Sequence, residues 1–241
     1  MTDYNLTPQI KTLSNLKFRD LPEILVGRNT FTGLIAFEVY ENLLKKLAGV
    51  TGIILRRVFL RLILKNVGKK LTCEEAVTIL GGKRISVGDG VFLRKYSSLE
   101  ARFGGTIELG NSVLINQGTI VCSKGGSILI SDGVNISSHC RIASNANLFI
   151  GKSVLISAFC YIGAPNHDLS DPVKTVTEKA KSSGVSIGNN VWIGAHTTVL
   201  DGVVIGENSV IGANSFVNRD IPSNVIAFGT PARVVRQRIL Y

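Results

Sequence analysis

Between Ser186 and Val217 a branched aliphatic residue returns at every sixth position: Ile187, Ile193, Val199, Ile205, Ile211 and Val217. Gly follows four of the six, at Gly188, Gly194, Gly206 and Gly212. A period of six is neither the helical 3.6 nor the strand period of two. Hexapeptide self-similarity is the mark of a parallel β-helix. Each hexad supplies one short flat face and a corner, and three hexads close a triangular coil. The sixth-residue aliphatics point inward and stack on those of the next coil. The fifth residue is small or branched (Val191, Thr197, Val203, Ser209, Ser215), because a large side chain would not fit beside the corner.

Counting backwards extends the pattern. Val87, Leu93 and Leu99 make one coil, then Leu109, Ile115 and Val121, then Ile130, Ile136 and Ile142, then Ile150, Ile156 and Ile162. With the two coils of the clean region the count is six, and excess residues fall only between triplets. Parallel strands stack about 4.8 Å apart, so six coils make a prism roughly 29 Å long. The fold class expected is mainly β, a three-faced parallel β-helix. Its open ends leave strands unpaired and require caps. The expected division is an arm and amphipathic helical segment over residues 1–84, the β-helix over 85–221 and a C-terminal cap over 222–241. Within that cap Ala232–Leu240 is expected to form a short helix.

In the leader, residues 1–33 read as a Pro-punctuated arm with short helical pieces. Residues 34–66 read as helix. Leu43, Leu47, Val50, Ile54, Val58 and Leu62 follow three- and four-residue steps, and Gly49 and Gly52 are candidate breaks. Lys45, Lys46, Arg56, Arg57, Arg61 and Lys65 interrupt the apolar run, so it is not expected to span a membrane. Two uses fit it: a cap over the first coil, or a basic amphipathic contact with an anionic membrane through residues 34–70. The charge agrees with either. Of the net +10, residues 1–84 carry +7. No nucleic-acid module accompanies that charge, so no nucleic-acid partner is expected. The four cysteines, Cys73, Cys122, Cys140 and Cys160, lie at no metal-ligand spacing. They are expected to be free thiols in a reducing cytoplasm, and no signal peptide is legible.

The register needs six residues between Ile162 and Ile187, and the chain supplies 25. The surplus is expected to form one long loop over 164–184, and a long excursion from a rigid coil is usually functional. The loop opens GAPNHDLSDP, and the next coil reads IGNNVWIGA, followed by VIGANSFVNRDIP and FGTPARVVR. Together these stretches resemble the hexapeptide-repeat acyltransferases, a family with a left-handed parallel β-helix. The nearest resemblance is to the sugar and polysaccharide O-acetyltransferases and their xenobiotic relatives. It is specific over most of the last 90 residues and looser before them.

The resemblance implies direct transfer of an acetyl group from acetyl-CoA to a hydroxyl of a sugar or a cell-envelope polysaccharide precursor. Such a transfer needs a base that takes the hydroxyl proton, and imidazole suits it near neutral pH. His167, in the long loop beside Asn166, occupies the place of the family's catalytic His. Asp168 or Asp171 is a candidate to orient its ring. The Ala195 amide corresponds to the oxyanion donor, and Trp192 is a candidate wall of the acceptor pocket. Ala213 falls along the pantetheine groove, Asn218 and Arg219 follow it, and Arg233 and Arg236 fall near the nucleotide phosphates, which suit the planar fork of Arg. Ser137 stands where simpler sugar acetyltransferases carry an acceptor-binding Asn. By the same resemblance the chain forms a homotrimer with its sites at the subunit boundaries. Three alternatives stay open: an amino sugar, antibiotic or other small acceptor; a scaffold without catalysis; and a zinc enzyme like the γ-class carbonic anhydrases, with His139 and His196 flanking His167. No metal is expected in the main reading, which leaves both histidines as surface, interface or acceptor-site residues.

Overall fold

The computed structural model describes residues 17–28, 30–164 and 182–239. They form the three-faced parallel β-helix that the hexads predict. Its three sheets stack strands drawn from successive coils. On the first face Val87, Leu109, Ile130, Ile150, Ile187 and Ile205 lie in register. On the second the row is Leu93, Ile115, Ile136, Ile156, Ile193 and Ile211. On the third it is Leu99, Val121, Ile142, Ile162, Val199 and Val217. All eighteen side chains are buried in one core. The fifth-position residues are buried too: Val191, Thr197, Val203, Ser209 and Ser215, together with Cys140 and Cys160.

Two glycines show why the corner is intolerant. A Cβ on Gly188 would stand 2.5 Å from the amide nitrogen of Glu207, and one on Gly194 2.5 Å from that of Ala213. The chain of the next coil occupies the space a side chain would need.

The coil begins earlier than the expected boundary at residue 85. Asn66–Val67, Thr72–Cys73 and Thr78–Leu80 pair with the strands of the coil that follows, making seven coils rather than six. Val67, Cys73 and Ile79 keep the six-residue step. The hexad count misses this coil because a thiol, not a branched aliphatic, fills its middle position.

The helical leader is Leu21–Val26, then Phe31–Val39 running on through a π-helical turn at Tyr40–Leu44, then Gly49–Ile63. The expected break falls just before Gly49, whereas Gly52 lies inside the last helix. That helix buries Gly52, Arg56, Leu60 and Ile63. Leu60, Ile63 and Tyr40 pack with Leu71, Cys73 and Val77, closing the end of the first coil.

The other end is closed by a strand, which corrects the expected C-terminal helix. Val225–Gly229 extends the second face beyond Ile211, and Ala232–Gln237 returns antiparallel against it. Backbone hydrogen bonding at an exposed sheet edge outweighs the local pattern that suggested a helix.

Candidate functional site

The corner after the second face carries the residues of interest. Beyond Ile193 the chain passes through Gly194 and Ala195 to His196, which has φ +58°. The same turn in the earlier coils places Tyr96, Gly118, His139 and Phe159 at positive φ, and in the next coil Asn214. These residues form a column along one edge of the prism. His139 stacks on Phe159 with ring centroids 5.3 Å apart and planes 12° from parallel. Phe159 stacks on His196 at 4.9 Å and 9°. Below them a Cβ on Gly118 would lie 2.5 Å from Nδ1 of His139, so that ring covers the glycine.

Beside the column runs a row of backbone groups. The amides of His139, Phe159, His196 and Asn214 donate to the carbonyls of Gln117, Ser138, Ala158 and Ala195, each one coil back, at 2.8–3.1 Å. These bonds use the Ala195 carbonyl. The Ala195 N–H has no acceptor among the described residues, a property it shares with the amides of Gln117, Ser138, Ala158 and Ala213 at the same corner.

Trp192 lies on the outer side of the second face, in register with Leu155, Val210 and Ile226. Its ring is half exposed, and its Nε1–H donates to Oγ of Ser157 at 3.1 Å. Ser157 is therefore the corner residue that fixes the indole, and the sequence reading did not single it out. Ser137 occupies the equivalent position one coil earlier, and its carbonyl accepts from Oγ1 of Thr119 at 2.6 Å. Ser137 thus sits two coils from Trp192, not against it.

Ala213, Asn218 and Arg219 are exposed. Arg233 pairs across the terminal hairpin with Phe228, and Arg236 with Ile226. Phe228 and Ile226 stand two residues apart on one strand, so both arginines share the outer face. A register shift between Ile226 and Ala227 makes this possible for residues three apart. A helix would have brought them together by its own period; the hairpin does it with a bulge. Arg238, also not singled out, donates through Nη1 to the carbonyl of Asn208 at 2.8 Å and ties the chain end to the coil.

Asn166, His167, Asp168 and Asp171 lie outside the described residues. The chain leaves the coil at Ala164, which ends a third-face strand, and is described again from Ser182. Asp201 anchors the return. Its carboxylate accepts from the Ser182 hydroxyl at 2.7 Å and from the Ser183 and Gly184 amides at 2.6 and 2.9 Å.

The geometry argues against the zinc alternative. Phe159 stands between His139 and His196, so these rings cannot close on one ion. The Cys160 thiol offers no ready nucleophile either. Cys160 donates to the Gly194 carbonyl at 3.2 Å, and a hydrogen bond with Cys140, reinforced by burial, pushes its pKa up.

Residues 184–219 match the family described as "Bacterial transferase hexapeptide (six repeats)". The chain is 40% identical over 121 residues to the galactoside O-acetyltransferase of Escherichia coli K12, covering 48% of this chain and 56% of that protein. It is 34% identical over 145 residues to WbbJ of the same organism, named for O-acetyl transfer in lipopolysaccharide biosynthesis, covering 56% of this chain and 74% of WbbJ. The match thus spans little more than half the length of the galactoside enzyme. Among solved structures, a variant of the N-acyltransferase AntD from Bacillus cereus, in complex with dTDP and coenzyme A, superposes with a TM-score of 0.51 at 25% identity. That likeness covers 73% of this chain and 85% of the AntD chain.

Proposed function

Because this chain belongs to the hexapeptide-repeat transferase family, we propose that it moves an acetyl group from acetyl-CoA to a hydroxyl of a sugar or cell-envelope polysaccharide precursor. One observation carries the reading. The coil that follows the excursion presents the Ala195 N–H, without an acceptor among the described residues, on an exposed edge within the span that matches the family. A rigid, unpaired amide is what a developing oxyanion requires, since it needs no reorganisation as the charge forms.

His167 is the proposed base. It lies three residues beyond Ala164, and three extended residues span at most about 11 Å. The imidazole takes the hydroxyl proton as the oxygen attacks the thioester carbonyl, and Asp168 or Asp171 orients the ring. When the tetrahedral intermediate collapses, the protonated ring gives its proton to the departing thiolate. Ala213 borders the pantetheine arm, with Asn218 and Arg219 beyond it. Arg233 and Arg236, side by side on the hairpin, meet the phosphates. Trp192, held by Ser157, walls the acceptor side with Asn166, Ser137 and His139 as further acceptor contacts. A cytoplasmic location belongs to the same proposal, since the reaction draws on acetyl-CoA.

Within one chain the excursion starts from Ala164, paired with Leu200, while Ala195 lies five residues earlier on that coil, at the other end of the third face. A site that uses both is completed between neighbouring copies, as a homotrimer with boundary sites would do. The relatives named for O-acetyl transfer support a hydroxyl acceptor. The likeness to an N-acyltransferase keeps an amino sugar as the second reading.

Release of free CoA from acetyl-CoA, followed with a thiol reagent across galactosides, oligosaccharides, lipid-linked saccharides and amino sugars, tests the reaction and ranks the acceptors. His167→Ala is expected to lower turnover about 10²–10⁴-fold while acetyl-CoA still binds. Unchanged turnover removes the base. Replacing Arg233 and Arg236 together by Ala is expected to raise the KM for acetyl-CoA about tenfold or more at nearly constant kcat. An unaltered KM would put the phosphates elsewhere.

A further inference from the structure

The last leader helix has two apolar faces, and among the described residues only one is covered. Residues two apart on a helix point about 200° away from each other. Gly52, Arg56 and Leu60 face the first coil, so Ile54, Val58 and Leu62 point away from it. Val50 is 72% exposed, Val58 64% and Leu62 60%, with Ile54 more than half exposed. Leu43, in the preceding π-helical turn, and Leu47, in the connection to this helix, are exposed as well. The neighbouring helix Phe31–Val39, which contacts this one, exposes Phe31 and Ile35 as well. Four large apolar side chains in one row, with four more exposed on the segments before it, are far more than solvation of a surface helix requires.

The charge around the stripe is of one sign. Residues 42–73 hold eight Lys or Arg and no Asp or Glu. Some of these cations are engaged. Arg56 is buried on backbone carbonyls, Arg57 donates to the Leu71 carbonyl, and Lys45 pairs with Glu41. Lys46, Arg61, Lys65, Lys69 and Lys70 are exposed and make no ion pair among the described residues. Among the described residues no helix is long and apolar enough to cross a membrane.

We propose that this end of the prism docks on an anionic lipid surface, with the stripe Val50–Leu62 lying in the headgroup–acyl boundary and the nearby cations on the anionic headgroups. Glu38 and Glu41 lie on the neighbouring helical segments, but Lys and Arg outnumber them, and an apolar face beside such an excess of cations is the chemistry of an interfacial helix. A neutral protein partner would not call for the five exposed cations, and a second copy of this basic end would repel the first. The placement is independent of the reaction. If the prism is also a trimer with parallel axes, three stripes face one way and bind together, which strengthens a weak single contact.

The full chain is mixed with phosphatidylcholine vesicles with and without 30% phosphatidylglycerol, a probe composition of about one anionic lipid in three, and sedimented. It is expected to go down with the anionic vesicles, to stay in solution with the neutral ones, and to be released by salt. Ile54→Asp with Val58→Asp, both exposed and outside the proposed site, is expected to abolish sedimentation while CoA release with a soluble acceptor stays unchanged. Lys65→Gln with Lys69→Gln is expected to weaken binding roughly twentyfold. Three results overturn the proposal: no sedimentation with anionic vesicles, equal sedimentation of the Asp variant, or an Asp variant that loses only self-association by light scattering, which would make the stripe an interface between copies.

Discussion

At the scale of single residues, Arg56 does the work that a larger core would do in another fold. Its guanidinium is buried beneath the leader helices. Nε donates to the Cys73 carbonyl at 2.9 Å, and Nη1 donates to the carbonyls of Leu44, at 2.8 Å, and Leu47. It thereby satisfies carbonyls at the end of one helical segment and binds that end to the first coil. Arg56→Met keeps much of the volume but leaves these acceptors unpaired, and is expected to cost about 2–4 kcal/mol, read as a lowered denaturation midpoint. Cys73 beside it is a pH probe. Burial pushes its thiol up to about 12, against the opposing pull of the Arg56 charge. Tyr40, whose hydroxyl donates to the Val77 carbonyl at 2.8 Å, is also raised by burial. A raised acid keeps its proton in the fold after the unfolded chain has lost it. Stability is therefore untouched below pH 9, the ordinary thiol value, and falls as pH rises from there toward about 12. Thermal unfolding between pH 8 and 11 should show that slope, and Cys73→Ala should flatten it in part; an unchanged slope would assign it to the other raised groups, Tyr40, Cys122 and Cys160. Arg56 was legible only as a charge on a helix, because its partners come from two other segments, the stretch before the helix and the first coil.

At the scale of elements, the hexad divides labour between filling the core and letting the next coil approach. Ile193→Ala removes a wholly buried side chain and is expected to cost about 2–5 kcal/mol. Gly194→Ala adds one carbon where the Ala213 amide already stands and is expected to cost about 1–3 kcal/mol or more. The two would separate in function. The cavity leaves the corner in place, whereas the added methyl displaces the backbone on which Ala195 sits, so Gly194→Ala should lose more transfer activity per unit of stability lost. Equal losses would detach the corner from catalysis. The hairpin was not legible as such. FGTPARVVR carries the residues that suggested a cap, but helix or strand was decided by the free edge of the second face.

At the scale of the whole molecule, the seven coils form a rod whose ends are closed by different means, helices at one and a hairpin at the other. The flat lateral faces are open, and apolar residues such as Leu129 and Phe149 on the first and Leu155 and Trp192 on the second lie on their outer sides. Light scattering is expected to give a molar mass near three times the 25.9 kDa of one chain, and a fully active monomer would end the boundary-site proposal. What six-residue spacing determines by itself is the section of the rod, its inward rows and the place where the chain departs from them. Those follow from local geometry, since one hexad makes one face whatever its neighbours are. The extra first coil, the strand at the C-terminus, the stacking of His139, Phe159 and His196, and the exposed apolar side of the leader helix were decided only in three dimensions. Each depends on what residues some twenty or more positions away place beside it, and a short repeat carries no record of that.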